Sequence, residues 1–351
     1  MADKENLLVM FGGASTEYAV SCVSASHIIR NLDKERFSVW VLGLTKEGEW
    51  RLTTASADEI EHDAWLPKSK RAILSPDPKD HGIILLEENA KSVYIDAVFP
   101  ILHGKYGEDG CLQGLLELSG IPYVGTGVFT SSAMMDKHFA KCLFAYLNIP
   151  QAAWVFYDHA VDDPESVADQ VEEKLGYPAF VKPCNAGSSI GVNKASDRAS
   201  LLHALEEGAK VDRRIIIEEF IEAQEVECAV LGNDDPKAGE VGEIRPLKEF
   251  YDFEAKYEDD ATELLIPAKV SDEVRAYIRE TAVRVFRAVG GTGMSRVDFF
   301  VHKKTGKVYL NEINTAPGFT SISMYPKLWN AMGVPYTELL SRLVDFAKER
   351  K

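Results

Sequence analysis

The segment Arg296 to Thr320, RVDFFVHKKTGKVYLNEINTAPGFT, constrains the fold more tightly than composition does. Two apolar runs, Val297 to Val301 and Val308 to Ile313, flank Lys303-Lys304-Thr305-Gly306-Lys307, the pattern of a β-hairpin whose glycine supplies the turn. Side chains alternate faces along a strand, so Arg296 and Asp298 share a face of the first strand and Glu312 and Asn314 a face of the second. A hairpin centred near Thr305 sets Asp298 across from Glu312 and Arg296 across from Asn314. Magnesium keeps several waters and takes one or two carboxylates besides substrate phosphates, so two facing acids and a carboxamide suit a Mg-nucleotide. Arg296 would then face charge developing on a phosphoryl or carbonyl oxygen. The same residues would also serve as an ordinary exposed ion pair with solvated acids. The run Asn311-Glu312-Ile313-Asn314-Thr315 followed by Pro317-Gly318 tilts the balance to the metal.

At 351 residues the chain is too long for one ordinary core and predicts two or three domains. Its 46% hydrophobic and 27% charged residues are those of a soluble globular protein. A net charge of −16 opposes nucleic acid and an anionic membrane surface, so a bound nucleotide needs local cations and metal. Cys22, Cys111, Cys142, Cys184 and Cys228 form no CxxC pair and read as reduced packing residues of a cytoplasmic protein, with a catalytic thiol as the alternative. No long apolar segment suggests a signal peptide or membrane span.

The first third alternates strand and helix signals: Leu7 to Phe11, a Gly12-Gly13 turn, the helix Val20 to Ile29, the strands Phe37 to Leu44 and Ala97 to Leu102, then the helix Leu112 to Leu118. That alternation predicts a Rossmann-like parallel sheet with helices on its faces, although no GxGxxG is present. Residues 56 to 94 show only weak periodicity. A helix follows from Asp136 to Leu147, then strands at Ala179 to Val181, Gly191 to Asn193 and Arg214 to Ile217, with a helix near Arg198 to Glu207. The last third holds the helix Asp272 to Val289, capped by Ser271, with Val274, Tyr277, Ile278, Val285 and Phe286 on one face, and a final helix from about Thr337 to Glu349. The expected fold is α/β (α+β), in domains 1–131, 132–223 and 224–351.

Lys182-Pro183-Cys184-Asn185-Ala186-Gly187-Ser188-Ser189-Ile190-Gly191 lies between two strand signals and is not a Walker A loop. It reads as a glycine-rich flap over phosphates, with Lys182 as a point charge, or as an ordinary flexible hairpin. Ile215 to Ile221, followed by Glu225, is a strand whose exit can meet an adenine edge and a ribose hydroxyl, or simply end in solvated acids. Phe250 to Tyr257 reads as a loop closing over a small substrate, or a surface aromatic cluster. His103, at a strand end, is catalytic or merely hydrogen-bonded.

With these segments in order the sequence resembles the D-alanine–D-alanine ligases of the ATP-grasp superfamily over nearly its whole length. The resemblance rests on Gly12-Gly13-Ala14-Ser15-Thr16-Glu17, Leu102-His103-Gly104, Gly107-Glu108-Asp109-Gly110, Met135-Asp136-Lys137, Lys182-Pro183 with Gly187-Ser188-Ser189, Asp252 to Tyr257, Arg296-Val297-Asp298 and Asn311 to Ser323. It implies a three-domain ATP-grasp enzyme in which ATP phosphorylates the carboxylate of one D-alanine and the amine of a second attacks the acyl phosphate, making D-alanyl-D-alanine for peptidoglycan precursors.

The resemblance also implies roles. Lys137 and Lys182 look like phosphate lysines; Glu218, Phe220, Ile221, Glu225, Phe250 and Phe300 would surround adenine and ribose, with Ser188, Ser189, Lys256 and Asn311 completing the ATP site. Asp298, Glu312 and Asn314 would hold two Mg2+ ions, for which Mn2+ may substitute. Arg296 and the Gly318 N–H would stabilise the oxyanion. Glu17 would hold the first substrate's ammonium in a triad with Ser188 and Tyr257, His103 would lie near that subsite, and Ser323, Met324 and Lys256 would face the second substrate. The family is commonly dimeric, which implies a homodimer.

Departures from the family pattern are Tyr18 after Glu17 and Phe253 in the loop. Tyr257 resembles the peptide-forming members, as against those that make the D-lactate ester, and Met324 the ordinary D-alanine form, whereas Gly13 to Tyr18, Leu42 to Trp50 and Val98-Phe99-Pro100 resemble D-alanine–D-serine ligases of the vancomycin-resistance type, the alternative reading. A regulatory nucleotide-binding protein without catalysis would lack a metal acid or Arg296, and neither is missing.

Overall fold

Three β-sheets follow one another along the chain in the computed structural model, which describes residues 4–87, 90–187, 190–246 and 262–350. The first contains β1 (Glu5–Gly12), β2 (Phe37–Leu44), β3 (Trp50–Thr53), β4 (Ser69–Leu74), β5 (Gly82–Leu85), β6 (Lys91–Tyr94) and β7 (Ala97–Pro100), in the order β6-β5-β4-β3-β2-β1-β7. Helices α1 (Tyr18–Asn31), α2 (Ala57–Glu61), α3 (Cys111–Ser119) and α4 (Val128–Met135) belong to this part of the chain.

Parallel pairing joins β1 to β2 and to β7, and every pairing described from β2 through β6 is antiparallel. The parallel sheet expected from the sequence is therefore a mixed one. Apart from β3, the antiparallel extension comes from the weakly periodic stretch 56–94, and its strands are too short, and in β6 too exposed, to leave an apolar period. Tyr18 is buried at the start of α1. Its hydroxyl donates to Asp63 at 2.6 Å and accepts from Trp65 Nε1 at 3.0 Å, pinning the α2–β4 connection.

The second sheet contains β8 (Trp154–Asp158), β9 (Ala179–Pro183), β10 (Asn193–Ala195) and β11 (Arg214–Glu219) in the order β10-β9-β11-β8, all antiparallel. It carries α5 (Lys137–Tyr146), α6 (Pro164–Lys174) and α7 (Arg198–Ala209). Asp136 starts α5 by accepting from the His138 and Phe139 N–H groups, as an N-cap should. The strand expected at Gly191 begins at Asn193 instead, because Gly191 takes φ +72° and belongs to the turn.

The third sheet contains β12 (Ala223–Leu231), β13 (Lys237–Pro246), β14 (Thr262–Leu265), β15 (Met294–His302) and β16 (Val308–Asn314), in the order β14-β13-β12-β15-β16. Helix α8 (Asp272–Ala288) packs on it through Ile278, Ala282, Val285 and Phe286, and Ser271 caps its start. Tyr277, expected on that face, is exposed, because the buried stripe centres one residue further along.

Helices α9 (Met324–Ala331) and α10 (Tyr336–Glu349) bind the third sheet to the first. Leu339, Leu340, Leu343 and Val344 of α10 share one core with Val9 and Phe11 of β1, Cys22 of α1 and Ala229 of β12. Ion pairs Arg36–Asp345 at 2.5 Å and Arg350–Glu117 at 2.8 Å rim that contact. The second sheet closes over its own core of Val155, Val181, Leu201, Leu205, Ile215 and Ile217. The cleft between these bodies is where the charged residues gather.

Candidate active site

The hairpin β15–β16 sets the floor. Asp298 pairs with Glu312 and Arg296 with Asn314, the register that a turn near Thr305 predicts. The register then slips by one between Asp298 and Phe299, leaving Asn311 without a partner across the hairpin. Such a bulge re-aims side chains, and Asn311 and Glu312 both line the cleft. On the other side of β15, Glu225 of β12 lies across from Phe300 and Glu227 from Asp298. One face of the sheet therefore displays Glu225, Glu227, Arg296, Asp298, Glu312 and Asn314 side by side.

Arg296 is clamped between acids. Its Nε donates to Asp298 Oδ1 at 2.8 Å and its Nη2 to Oδ2 at 2.6 Å, while Glu227 Oε1 is 3.1 Å from Nε. Burial disfavours the charge, but Asp298, Glu227 and Glu312 outweigh it and hold the guanidinium protonated. The fork geometry aligns a fixed positive charge in a cleft of about 430 Å³.

The first sheet supplies the opposite wall, with His103, Glu108 and Glu17. Burial pushes the His103 imidazole down to about 4, with a hydrogen bond to the Ala316 backbone opposing it and Arg296 adding to it. The ring is neutral near pH 7, and its Nε2 lies 3.3 Å from Ser24 Oγ. Burial, with the Glu17 carboxylate beside it, pushes Glu108 up to about 8, although the Gly104 N–H donates to its Oε2 at 2.7 Å and Arg296 also pulls it down. Glu17 is buried against the backbones of Gly104 and Gly187; a Cβ at either would stand 2.6 Å from its Oε2.

The loop after β16 closes the third side. Phe319 is fully buried against Phe99, Tyr325 and Tyr336, burial worth about 2–3 kcal/mol. That anchor holds Gly318 at the cleft, where a Cβ would come within 2.8 Å of Ser323 Oγ. Ser323 Oγ also accepts from the Thr320 N–H at 2.9 Å. Met324 lines the cleft from the start of α9, its sulfur packed against Gly242.

The second sheet and α5 form the roof. Lys137 Nζ donates to the Ala186 carbonyl at 2.6 Å, fastening α5 to the glycine-rich turn between β9 and β10. Behind it, a cavity of about 20 Å³ is lined by Lys137, Lys141, Lys182, Glu218, Asn311 and Glu312 together with Met134 and Ala140. Glu218 Oε1 lies 2.7 Å from Lys141 Nζ and Oε2 2.5 Å from Lys182 Nζ. Burial raises the affinity of that carboxyl for a proton, but the two ammonium groups win and pull it down to about 2.

The structure thus brings Glu17, His103, Lys137, Glu225, Arg296, Asp298, Phe300, Asn311, Glu312, Asn314, Gly318, Ser323 and Met324 to one cleft, with Lys182 and Glu218 in the adjoining cavity. Phe220 and Ile221 line neither; Phe220 is 47% exposed just past the end of β11, near Phe180 and Lys194. Ser188, Ser189, Phe250, Lys256 and Tyr257 lie outside the described residues. Sequence reasoning assigned no role to Glu108, Glu227 or Lys141. Glu227 sits two residues from Glu225 on a strand and Lys141 four residues from Lys137 on a helix, spacings that put each on its neighbour's face.

Two carboxylates and one carboxamide, Asp298, Glu312 and Asn314, meet at the floor. Among the described residues no group of three His, Cys, Asp or Glu side chains forms a metal cage. That sparse oxygen set fits magnesium, whose remaining ligands are waters and substrate phosphates. The lysines of the roof would give such phosphates a countercharge.

Comparisons with known proteins identify related chains. The family model described as D-ala D-ala ligase N-terminus matches residues 6–126, and that described as D-ala D-ala ligase C-terminus matches residues 143–345. The D-alanine–D-alanine ligase of Acetivibrio thermocellus is 49% identical, over 100% of this chain and 97% of its own. The solved D-Ala:D-Ser ligase VanG of Enterococcus faecalis is 36% identical with a TM-score of 0.89, over 98% of this chain and 100% of that one. The D-alanine–D-alanine ligase of Coxiella burnetii is 34% identical with a TM-score of 0.88, over 99% and 95%.

Proposed function

The chain belongs to the D-alanine–D-alanine ligase family, and from that premise we propose how its own residues divide the work. It is an ATP-dependent ligase that joins two D-alanines into D-alanyl-D-alanine for cell-wall precursor synthesis. The D-serine alternative is not favoured: the full-length relative at 49% identity is a D-alanine–D-alanine ligase, against 36% for the D-serine enzyme.

In the reaction a carboxylate oxygen of the first D-alanine attacks the γ-phosphorus of ATP, and ADP leaves. The amine of the second D-alanine, having lost a proton, attacks the acyl carbon, and inorganic phosphate leaves. Glu17 holds the first ammonium, beside His103 and Glu108. Arg296 faces the carboxylate oxygen that turns into the oxyanion, with the Gly318 N–H as second donor, and such preorganised donors are usually the largest single contribution to acyl transfer. Lys137 and Lys182 neutralise phosphate oxygens. Glu225 and Phe300, which line the cleft, take adenine and ribose, a role that the family resemblance extends to Glu218, Phe220, Ile221 and Phe250. Ser323 and Met324, with Lys256, bound the second substrate, and Ser188, Ser189 and Tyr257 complete the closed site, from which water must be kept because acyl phosphates hydrolyse. Asp298, Glu312 and Asn314 would hold two magnesium ions, for which manganese can substitute, and the metal would supply charge neutralisation on the transferring phosphoryl group.

The observation that carries this reading is the row Arg296, Asp298, Glu312 and Asn314 on one hairpin, facing Glu17 and His103 across the cleft. The domain division 1–131, 132–223 and 224–351 is supported by the three sheets, β1–β7, β8–β11 and β12–β16. A homodimer is supported by exposed Leu118, Val128 and Phe129 on the packed pair α3 and α4. A cytoplasmic place is supported by the dependence on ATP and by five unpaired cysteines. Separately, no described helix is long and apolar enough to cross a membrane.

The test is phosphate release from Mg-ATP with D-alanine, then with D-alanine and D-serine together, identifying products by mass. D-Alanyl-D-alanine is the expected main product. Absence of D-alanine-stimulated phosphate release would overturn the reading, and a dominant mixed dipeptide would transfer it to the D-serine class.

A further inference from the structure

Lys141 is an unexpected residue to find inside α5. Its side chain is only 3% exposed, and its ammonium meets Glu218 Oε1 at 2.7 Å, with the Ala152 carbonyl at 3.4 Å. An apolar side chain of the same length would fill the space without the cost of burying a charge. The cavity it borders, about 20 Å³, has room for about one water and none for a phosphate group. Lys141 is not a wall of the large cleft.

The arrangement around Glu218 gives the charge a purpose. Each carboxylate oxygen is taken by one lysine, Lys141 from α5 and Lys182 from β9. Lys137, one helical turn before Lys141, lines the same small cavity, as does Glu312 from the floor. Two ammonium groups and one carboxylate leave a net positive charge, so Lys182 is oriented by Glu218 without being neutralised by it. Were Lys141 absent, both oxygens of Glu218 would turn to Lys182, cancelling its charge and holding its ammonium back from the cleft that its cavity adjoins.

We propose that Lys141 is a positioning residue for ATP: it occupies one oxygen of Glu218 and thereby keeps Lys182 available to the nucleotide, touching neither substrate itself. This rests on the ligase reading above, which places Lys182 at the phosphates.

The test measures Kd for a non-hydrolysable ATP analogue with magnesium, KM for ATP and for D-alanine, kcat, and Tm. It compares the wild type with Lys141→Met, Glu218→Gln and the double variant. Lys141→Met is expected to raise both the analogue Kd and the ATP KM at least tenfold, leaving the D-alanine KM within twofold. Adding Lys141→Met to Glu218→Gln is expected to cost no further ATP affinity, because the lysine acts through that carboxylate. A lower Tm with ATP constants within twofold of wild type overturns the proposal in favour of a purely structural ion pair. Multiplying penalties in the double variant overturn it as well. If Lys141→Met does not fold, Lys141→Arg and Lys141→Gln replace it: loss of ATP affinity in Gln with retention in Arg supports the proposal, and equal behaviour of the two overturns it. The analogue Kd does not depend on turnover, so an enzyme that binds nucleotide but makes no dipeptide counts against the ligase reading and leaves this measurement intact.

Discussion

The carboxylate of Glu17 lies against the backbone of Gly187, so close that a Cβ on that glycine would stand 2.6 Å from Oε2. The two residues belong to different sheets: Glu17 follows β1 in the first, and Gly187 lies in the turn between β9 and β10 of the second. The turn proposed to cover the phosphates thus also meets the group proposed to hold the first ammonium.

Gly187→Ala should therefore damage catalysis without damaging the fold. The clash is with the free end of a flexible side chain, which can move, but moving it misplaces the ammonium ligand. A rise of about tenfold in KM for the first D-alanine, the size of a lost hydrogen bond to a charged group, is expected with little change in Tm. Unchanged D-alanine kinetics would remove Glu17 from the first subsite.

Arg296 offers a sharper test of mechanism. Its fork is fixed by Asp298 at 2.8 and 2.6 Å and by Glu227 at 3.1 Å, a geometry that an ammonium cannot copy. Arg296→Ala should lower kcat by about a hundredfold or more, the scale of an oxyanion donor, and Arg296→Lys should recover little of it. Single-turnover rates near wild type in either variant would exclude Arg296 from the transition state.

Asp298 has two roles on the same pair of oxygens, steering Arg296 and facing Glu312 across the hairpin. Asp298→Asn keeps the shape and halves the carboxylate count at the floor. Its activity should need more magnesium, about tenfold or more at half-saturation, because a neutral carboxamide is a weaker partner for a hard dication. Titrating Mg2+ at fixed ATP checks this, and an unshifted midpoint would place the metal elsewhere.

What could be read from the sequence followed from how locally each feature is encoded. The hairpin register was legible because its two strands and turn lie within 21 residues, from Met294 to Asn314, and alternation fixes which side chains face each other. The bulge after Asp298 was not, since it depends on how β15 also pairs with β12. Strands β4 to β6 escaped notice because β4 and β6 are largely exposed and β5 has only four residues, so burial imposes no clean period. Glu227 and Lys141 gained meaning only from partners on other elements, Arg296 and Glu218, which no sequence spacing places beside them.

Glu108 yields a prediction about stability against pH in the ligand-free protein. Its carboxyl is pushed up to about 8 from 4.5 by burial and by the neighbouring Glu17. Between those values the folded state holds a proton that the unfolded chain has lost, so stability falls as pH rises through that window and levels off above it. Glu108→Gln mimics the protonated group and removes the loss, so the variant should gain Tm relative to wild type as pH rises from about 5 to 9. The carboxyl would respond to a bound ammonium in the opposite sense, since a cation beside it favours ionisation. D-Alanine should therefore stabilise wild type more at pH 8 than at pH 6, and the Gln variant about equally at both. Thermal melts across pH, with and without D-alanine, test both halves: parallel curves for the two proteins would show that Glu108 stays ionised throughout and that burial on this wall is weaker than its surroundings imply.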